Sequence, residues 1–376
     1  MPLDYNRSSI WHGAYCISLL LHATHFSKPA EQVKILRIII LPPVFALVYF
    51  FAGAFLDAAI YLQPWADFYE AIALASYFLL LVQLLVPVPE RRDAFFDQLE
   101  RKNGGSSLKW YRRTWIFVFQ YIVFQFIVAV VTDATQAVGV YCANGSGLHF
   151  AHIWLTVIHS VSVALAFIRL LRFYSRCKTE LKQYGVLRKL VAIKGVVFLT
   201  TLQQIVFTIL NSTGAVKPSA KLSYNDIYYG IPSIIVCGEM GFAALFQLYA
   251  YNARPYFLTS SISSTESHMK PANLRYHGGF LGIKAFAAAL DPRKILGGIG
   301  QMLRYIVSNP PVQQNYSSAM SMEPIRPSRG MRDQPPAYMP AQDAYRGATS
   351  SQREYSPYAD EYRTADQYTP LARPQY

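Results

Sequence analysis

The chain has 376 residues, of which 52% are hydrophobic and 15% aromatic but only 15% charged, with a formal net charge of +13 and a mean hydropathy of +0.18. Its lysines and arginines lie in short clusters between long apolar runs, which argues against nucleic acid as a partner and is typical of membrane topology. The four cysteines form no CxxC motif and have no regular spacing, so neither a zinc ribbon nor a disulfide framework is indicated.

Apolar runs of about 20 residues, the helix length that crosses a ~30 Å hydrocarbon layer, follow one another as far as residue 252. We therefore predict an all-α integral membrane protein whose residues 1–254 form a seven-transmembrane helix bundle. The first run has no basic n-region and no small-residue cleavage site, so it predicts a span and not a signal peptide. The predicted spans are residues 11–26, 35–56, 65–88, 115–141, 150–174, 187–210 and 227–251.

The basic residues between these spans predict the orientation of the bundle. Segments 27–37, 89–114 and 169–189 together contain 17 lysines and arginines, whereas the alternate segments contain three. Short segments rich in these residues stay on the cytoplasmic side, so we expect the N-terminus outside and the C-terminal tail inside. N-glycosylation acceptors of the form Asn-x-Ser/Thr occur in the outer segments at Asn6, Asn144 and Asn211, while Asn315 falls in the tail and should stay unmodified.

Four stretches, in their order along the chain, resemble the organic solute transporter alpha family, which includes the transmembrane protein 184 group. HFSKPAEQVKILRIIILPPVFAL (residues 25–47) is similar to the family signature that leads into the second span, and FYEAI (residues 68–72) to its Tyr-Glu-Ala-Phe motif. The sixth-span pattern is matched by Ile193, Lys194, Val197, Phe198, Leu199 and Gln203. CGEMGFAALFQLYAY (residues 237–251) resembles the last-span pattern, with Glu239 as its acid.

The resemblance implies a carrier, or a carrier subunit, for organic solutes such as amphipathic sterol conjugates. It also implies a single-span partner subunit in some cases, with a homo-oligomer as the other expectation. No phosphate-binding GxxxxGK[ST] loop is present, so we expect transport without ATP hydrolysis, no cofactor and no enzymatic activity. The expected surroundings are the lipid of the plasma membrane or of a vacuolar or endosomal membrane. A heptahelical receptor or signalling scaffold is the alternative function.

The predicted sixth span carries Lys194 within an apolar run. A stripe of polar residues on the same side of this helix predicts one wall of a polar pathway. Gln203, also a candidate pathway residue, lies on roughly the opposite side, so one of Lys194 and Gln203 should contact another helix unless α-helical geometry is distorted there. The alternative for Lys194 is that its long stem lifts the ammonium to the nearby interface. The other residues of the stripe, at about 100° per residue, are Thr201, Thr208 and, at its edge, Gln204.

Acidic residues also lie inside the predicted spans, where ionisable side chains are costly and indicate functional sites. Glu239 is too deep to reach an interface, so it must pair, bind a proton or meet water, and Lys194 is its candidate partner. A buried hydrogen bond that only locks the helices together is the alternative for Glu239. About two turns from the outer ends of their spans, Glu70 and Asp133 should form an acidic outer mouth together with Asp57 and Asp67.

Three histidines, His149, His152 and His159, fall on one face of the predicted fifth span. With a nearby acid they could hold zinc and activate water, as in a membrane-embedded metal-dependent hydrolase. No HExxH or GxSxG motif accompanies them, so we favour packing histidines and expect no metal.

Beyond residue 254, Gly, Pro, Ser, Gln and Tyr dominate, and this composition does not bury a core. We predict a linker over residues 255–279, two amphipathic membrane-surface helices over 280–308, and a disordered, Pro/Tyr-rich cytoplasmic tail over 309–376.

Two short signals suggest how the cytoplasmic side is regulated. Pro335, Pro336 and Tyr338 form a Pro-Pro-x-Tyr motif, the ligand of WW domains, which predicts a WW-bearing ubiquitin ligase as a partner. Cys177 follows the predicted fifth span among basic residues and is a candidate palmitoylation site.

Overall fold

A computed structural model describes residues 16–99, 107–142, 150–213, 223, 226–257 and 275–308. Within these residues every regular element is helical and no strand occurs, which confirms the all-α class. The helices are α1 (residues 16–24), α2 (Pro29–Ile39), α3 (Leu41–Ala54), α4 (Ala59–Leu85), α5 (Arg92–Gln98), α6 (Ser107–Ala137), α7 (Ala151–Arg176), α8 (Lys178–Leu181), α9 (Val186–Ser212), α10 (Ile231–Ala250), α11 (Ile283–Leu290) and α12 (Arg293–Val307).

Five helical segments of the described chain have the length and apolar composition needed to cross a membrane. They are Pro29–Ala54, Leu56–Leu85, Ser107–Ala137, Ala151–Arg176 and Ile231–Ala250. These segments overlap the predicted second, third, fourth, fifth and seventh spans. Helix α9 covers the predicted sixth span. The part of the predicted first span that the structure describes contains α1.

The helix that contains the predicted third span starts before residue 65. The helix begins at Ala59, after a 3-10 turn at Leu56–Ala58, and runs through Pro64. A proline lacks the N–H that would bond to the preceding turn, but helices surrounded by other helices tolerate this loss.

The turn between α1 and α2 is fixed by Gln32, one of the residues that carry the resemblance. Its side-chain oxygen accepts hydrogen bonds from the backbone N–H groups of Ser27 and Lys28, both at 2.8 Å, and its amide donates to the carbonyl of His25 at 2.9 Å. Pro29 follows at the first helical position, where its fixed φ suits a helix start. Gln32 therefore has a structural role in this fold.

Helix α4 lies at the centre of the bundle and packs against α2, α3 and α6. On one side α6 packs along α7, and on the other α3 packs along α10, which in turn packs along α9. Helix α9 also touches α4, but no comparable packing joins α9 to α7 in the described part of the chain. Helix α4 is therefore the central helix of the described bundle, with α6 and α7 on one side and α3, α10 and α9 on the other.

Tyrosine hydroxyls join the helices by donating to backbone carbonyls. Tyr77 on α4 donates to the carbonyl of Val186 at 2.9 Å, and Tyr251 after α10 donates to that of Lys189 at 3.0 Å. Apolar burial does not drive helices together in hydrocarbon, so such directional contacts, each worth on the order of 0.6–2 kcal/mol, contribute much of the specificity of packing. Both bonds fix the first turns of α9 against the rest of the bundle.

Helices α11 and α12 occupy the predicted 280–308 segment and dock on the bundle. The Arg37 side chain donates to the carbonyls of Ala289 at 2.7 Å and Asp291 at 2.8 Å, which satisfies the C-terminal end of α11. The Trp115 indole donates to the carbonyl of Gly298 on α12 at 2.9 Å. The two helices are thus attached to α2 and α6 at defined positions.

The docking of α12 depends on the absence of a side chain at Gly298. A Cβ atom there would collide with the ring of Phe119, which is fully buried and stacks on Trp115. We expect Gly298→Ala to lower the free energy of unfolding by about 1–3 kcal/mol, the usual cost of overpacking, and to release α12 from α6. Thermal unfolding and limited proteolysis of the solubilised protein measure both effects.

Gly300, on the same helix, is the matched control because no described atom lies within 4 Å of where its Cβ would be. Gly300→Ala should be neutral or stabilising by up to about 1 kcal/mol, since alanine favours a helix more than glycine does. Equal effects of the two substitutions would contradict the close contact at Gly298.

Candidate functional site

A buried ion pair joins α9 to α4. The Lys194 ammonium lies 2.7 Å from a Glu70 carboxylate oxygen, and the two side chains are only 16% and 2% exposed. The same ammonium lies 5.3 Å from the ring centroid of Phe167 on α7. Lys194 of α9 therefore contacts two other helices, α4 and α7.

The ion pair corrects three predictions. Lys194 does not reach towards an interface, because its ammonium points into the bundle. Its partner is Glu70 and not Glu239. Glu70 does not lie in an outer mouth with Asp133: it is 11 residues, or ~16 Å, into α4, and it is buried. The longer α4 explains the error in the depth of Glu70.

Further ionisable groups lie near the pair. Asp67, one turn before Glu70 on α4, interacts electrostatically with Glu70, with Lys194 and with His159 of α7. Tyr121 of α6 lies beside Glu70. Two carboxylates and one ammonium in an apolar bundle form a site in which charge is only partly balanced, and such groups bind ions, protons or polar ligands.

The seam between α6 and α7 is also polar, which was not predicted. His159 Nδ1 lies 3.0 Å from the side-chain oxygen of Gln125. Gln120 exchanges hydrogen bonds with Ser162, whose hydroxyl donates to the amide oxygen at 3.2 Å and whose carbonyl accepts from the amide nitrogen at 3.1 Å. The two glutamines of FQYIVFQF in an otherwise apolar run were the signal that could have revealed this seam.

The predicted histidine cluster does not come together in the described residues. His159 pairs with Gln125, whereas His152 packs edge-on against the ring of Tyr141 at 5.5 Å. No group of three or more His, Cys, Asp or Glu within the described chain is arranged to hold a metal ion. His149 lies outside the described residues.

Buried polar atoms without a protein hydrogen-bond partner occur on both α9 and α10. The Gln203 amide donates to the carbonyl of Pro232 at 2.8 Å, so Gln203 contacts a different helix from Lys194. In the part of the chain described, four buried oxygens in this region have no hydrogen-bond partner: Gln203 Oε1, Ser233 Oγ, Glu239 Oε2 and Gln247 Oε1. Because an unsatisfied buried polar atom costs about 1–3 kcal/mol, these oxygens are candidates for contact with a ligand or with water.

Asp133 is tied to α4 at a different place. Its Oδ2 atom accepts a hydrogen bond from the Trp65 indole at 3.1 Å, which connects α6 to the first turns of α4. The structure thus brings Glu70 and Lys194 together and leaves Asp133 with Trp65.

Cys177 is 1% exposed, and burial raises the pKa of its thiol to about 12. A buried thiol that stays protonated at neutral pH is a poor acyl acceptor, which counts against palmitoylation at this residue. Other predicted residues lie outside the described residues or side chains. They are Asn6, Asn144, Pro335, Pro336 and Tyr338, and the side chains of Thr201, Gln204, Thr208 and Asn211.

Residues 11–256 match the family described as organic solute transporter Ostalpha. Among curated proteins, the chain is 28% identical over 263 residues to a transmembrane protein 184 homolog of Dictyostelium discoideum, covering 65% of this chain and 50% of that protein. It is also 28% identical over 262 residues to protein LAZ1 homolog 1 of Arabidopsis thaliana, covering 62% and 53% respectively. The chain thus spans about half the length of the curated relatives it matches. No solved structure is significantly similar.

The ion pair is testable by a double-mutant cycle. Glu70→Gln and Lys194→Met each leave one buried charge without its partner, so each should lower the free energy of unfolding by about 3–5 kcal/mol. The double variant leaves no unpaired charge from the pair, so its free energy of unfolding should be close to that of the wild type. Thermal unfolding of the four purified proteins measures the coupling. Glu180→Gln, at an exposed carboxylate on α8, should change nothing; additive single effects would contradict the pairing.

Proposed function

We propose a transport function for this chain, which belongs to the organic solute transporter alpha (Ostalpha) family: it moves organic solutes across a membrane without hydrolysing ATP. The observation that carries the proposal is the Lys194–Glu70 pair, a buried charged contact between α9 and α4 beside Phe167 of α7. Ionisable groups inside a membrane bundle are costly, and they are found where solutes or ions pass.

The surroundings of the ion pair favour amphipathic, sterol-like solutes. Helix α7 buries mainly the stripe that faces α6, and five of its six exposed large hydrophobic residues are Val, Ile or Leu, the sixth being Trp154. Next to Lys194, Gly195 leaves open space, with no described atom within 4 Å of where its Cβ would be. Apolar walls around a few polar groups suit a solute that has an apolar body and a polar head.

We also propose seven spans with the N-terminus outside. Helix α9 has 27 residues, enough at 1.5 Å per residue to cross a ~30 Å hydrocarbon layer, and α1 would be part of the first span. The placement of basic residues supports the orientation, because residues 27–37, 89–114 and 169–189 all lie on one side of such a bundle.

Flux measurements test the transport proposal. The double variant Glu70→Gln/Lys194→Met should fold but lose at least tenfold in the flux of radiolabelled sterol sulfates or sterol glycosides into proteoliposomes, because its pathway has lost both charges. Glu239→Gln should reduce flux as well, and Glu180→Gln should not. Wild-type protein that carries none of these solutes would overturn the proposal. Binding without flux, with solute-dependent recruitment to the tail, would favour a receptor.

Glycosylation tests the orientation. In cells that N-glycosylate secretory proteins, the wild type should lose mass on endoglycosidase treatment, and the triple variant Asn6→Gln/Asn144→Gln/Asn211→Gln should not. Asn315→Gln is the matched control, because its acceptor lies in the predicted cytoplasmic tail and its loss should leave the shift intact. A shift that depends on Asn315 would reverse the orientation.

A further inference from the structure

The C-terminal helix pair, residues 275–308 with α11 and α12, lies beyond the residues that match the family. It is held by side chains of the bundle: Arg37 binds the end of α11, Trp115 binds Gly298, and the backbone N–H of His277 donates to the carbonyl of Phe26 at 2.9 Å. These contacts fix which face of each helix turns inward and which is left on the surface.

The inward face of α12 consists of residues at helical spacing. Ile295, Gly298, Met302 and Tyr305 are buried against α6. At about 100° per residue, these four positions occupy one narrow sector of the helix. Docking on α6 therefore uses only part of the apolar surface of α12.

A second apolar sector of α12 stays exposed beside the first. Leu296 is 60% exposed, Leu303 53% and Ile306 57%. The remaining sector is polar and carries Arg293, Gln301 and Arg304. A helix with one face against protein, one exposed apolar face and one basic face has the amphipathic pattern of an interfacial helix. The turn before α11 extends the exposed apolar surface with Phe280 and Leu281.

The charge of the helix pair indicates which kind of partner binds the exposed apolar face of α12. Residues 275–308 contain five lysines and arginines and a single acid, Asp291. That carboxylate already accepts a hydrogen bond from the backbone N–H of Arg293 at 3.0 Å. An apolar face bordered by positive charge is complementary to anionic lipid, in which acyl chains lie beneath negative headgroups.

The position of the helix pair places it at the right depth for such lipid. The guanidinium of Arg112 lies 5.2 Å from the ring centroid of Tyr305, so α12 ends beside the basic first turns of α6. This is the basic end of the bundle, where membrane helices meet the headgroups. We propose that the C-terminal helix pair is a binding surface for anionic phospholipid, seated in the leaflet at the basic end of the bundle.

Site-specific fluorescence on the full chain tests this proposal. In a background with the exposed cysteines Cys16 and Cys142 replaced by Ser, Leu303→Cys labels the exposed apolar face, and Ser308→Cys labels the exposed polar residue directly after the same helix. Each protein carries an environment-sensitive dye and is placed at one copy per nanodisc, or at two copies in a parallel sample, in phosphatidylcholine alone or with phosphatidylserine. The measurement is quenching by aqueous iodide.

We expect the label at residue 303 to be quenched at least threefold less than the label at 308, with the difference larger in phosphatidylserine. Arg293→Gln/Arg304→Gln should remove that dependence on phosphatidylserine. Equal quenching at the two positions would overturn the proposal, and so would protection that is the same in both lipids. Protection found only in discs that hold two copies would assign the face to self-association instead.

Discussion

The Lys194–Glu70 ion pair sets the position and rotation of α9. Neither charge is stable alone in an apolar bundle, so the helix must turn Lys194 towards α4. Gln203 follows nine residues later, on the opposite side of the helix at about 100° per residue, and there it meets Pro232 of α10. The sequence posed a conflict, because Lys194 and Gln203 do not line one cavity. The conflict is resolved because α9 lies between α4 and α10: Lys194 contacts α4, and Gln203 contacts α10.

Contacts from side chains to backbone carbonyls connect this pair to the rest of the molecule. Tyr69, the residue before Glu70, donates to the carbonyl of Arg37 at 3.0 Å, and the side chain of Arg37 holds the end of α11. Two hydrogen bonds through Arg37 therefore connect the C-terminal helix pair to the residue next to Glu70. Because helix association in lipid depends on such directional contacts, a change at the helix pair alters how α2 is held against α4.

Much of the helical framework was predictable because long apolar runs have few alternatives in a membrane, and Lys194 stood out as a charge within such a run. Its partner was not predictable. Glu70 lies 124 positions away along the chain, and their contact depends on how α4 and α9 cross. The docking of α12 could not be predicted from the sequence either, because it depends on the lack of a side chain at Gly298 and on the hydrogen bond from the Trp115 indole. Helical periodicity identified an amphipathic helix, but not which part of its apolar surface would meet protein.

A structural role for the ion pair is compatible with a role in transport. The attraction between two buried charges is largely offset by the loss of their hydration, so an intact pair adds little net stability although breaking it is costly. A solute that brings its own charged group to Lys194 would replace one partner by another without leaving the ammonium alone. The free-energy difference between Lys194 paired with Glu70 and Lys194 paired with the solute is then small. A small difference allows the contact with the solute to form and break reversibly. Glu70, freed from Lys194, would lie beside Tyr121, while Asp67 remains one turn away to share a proton.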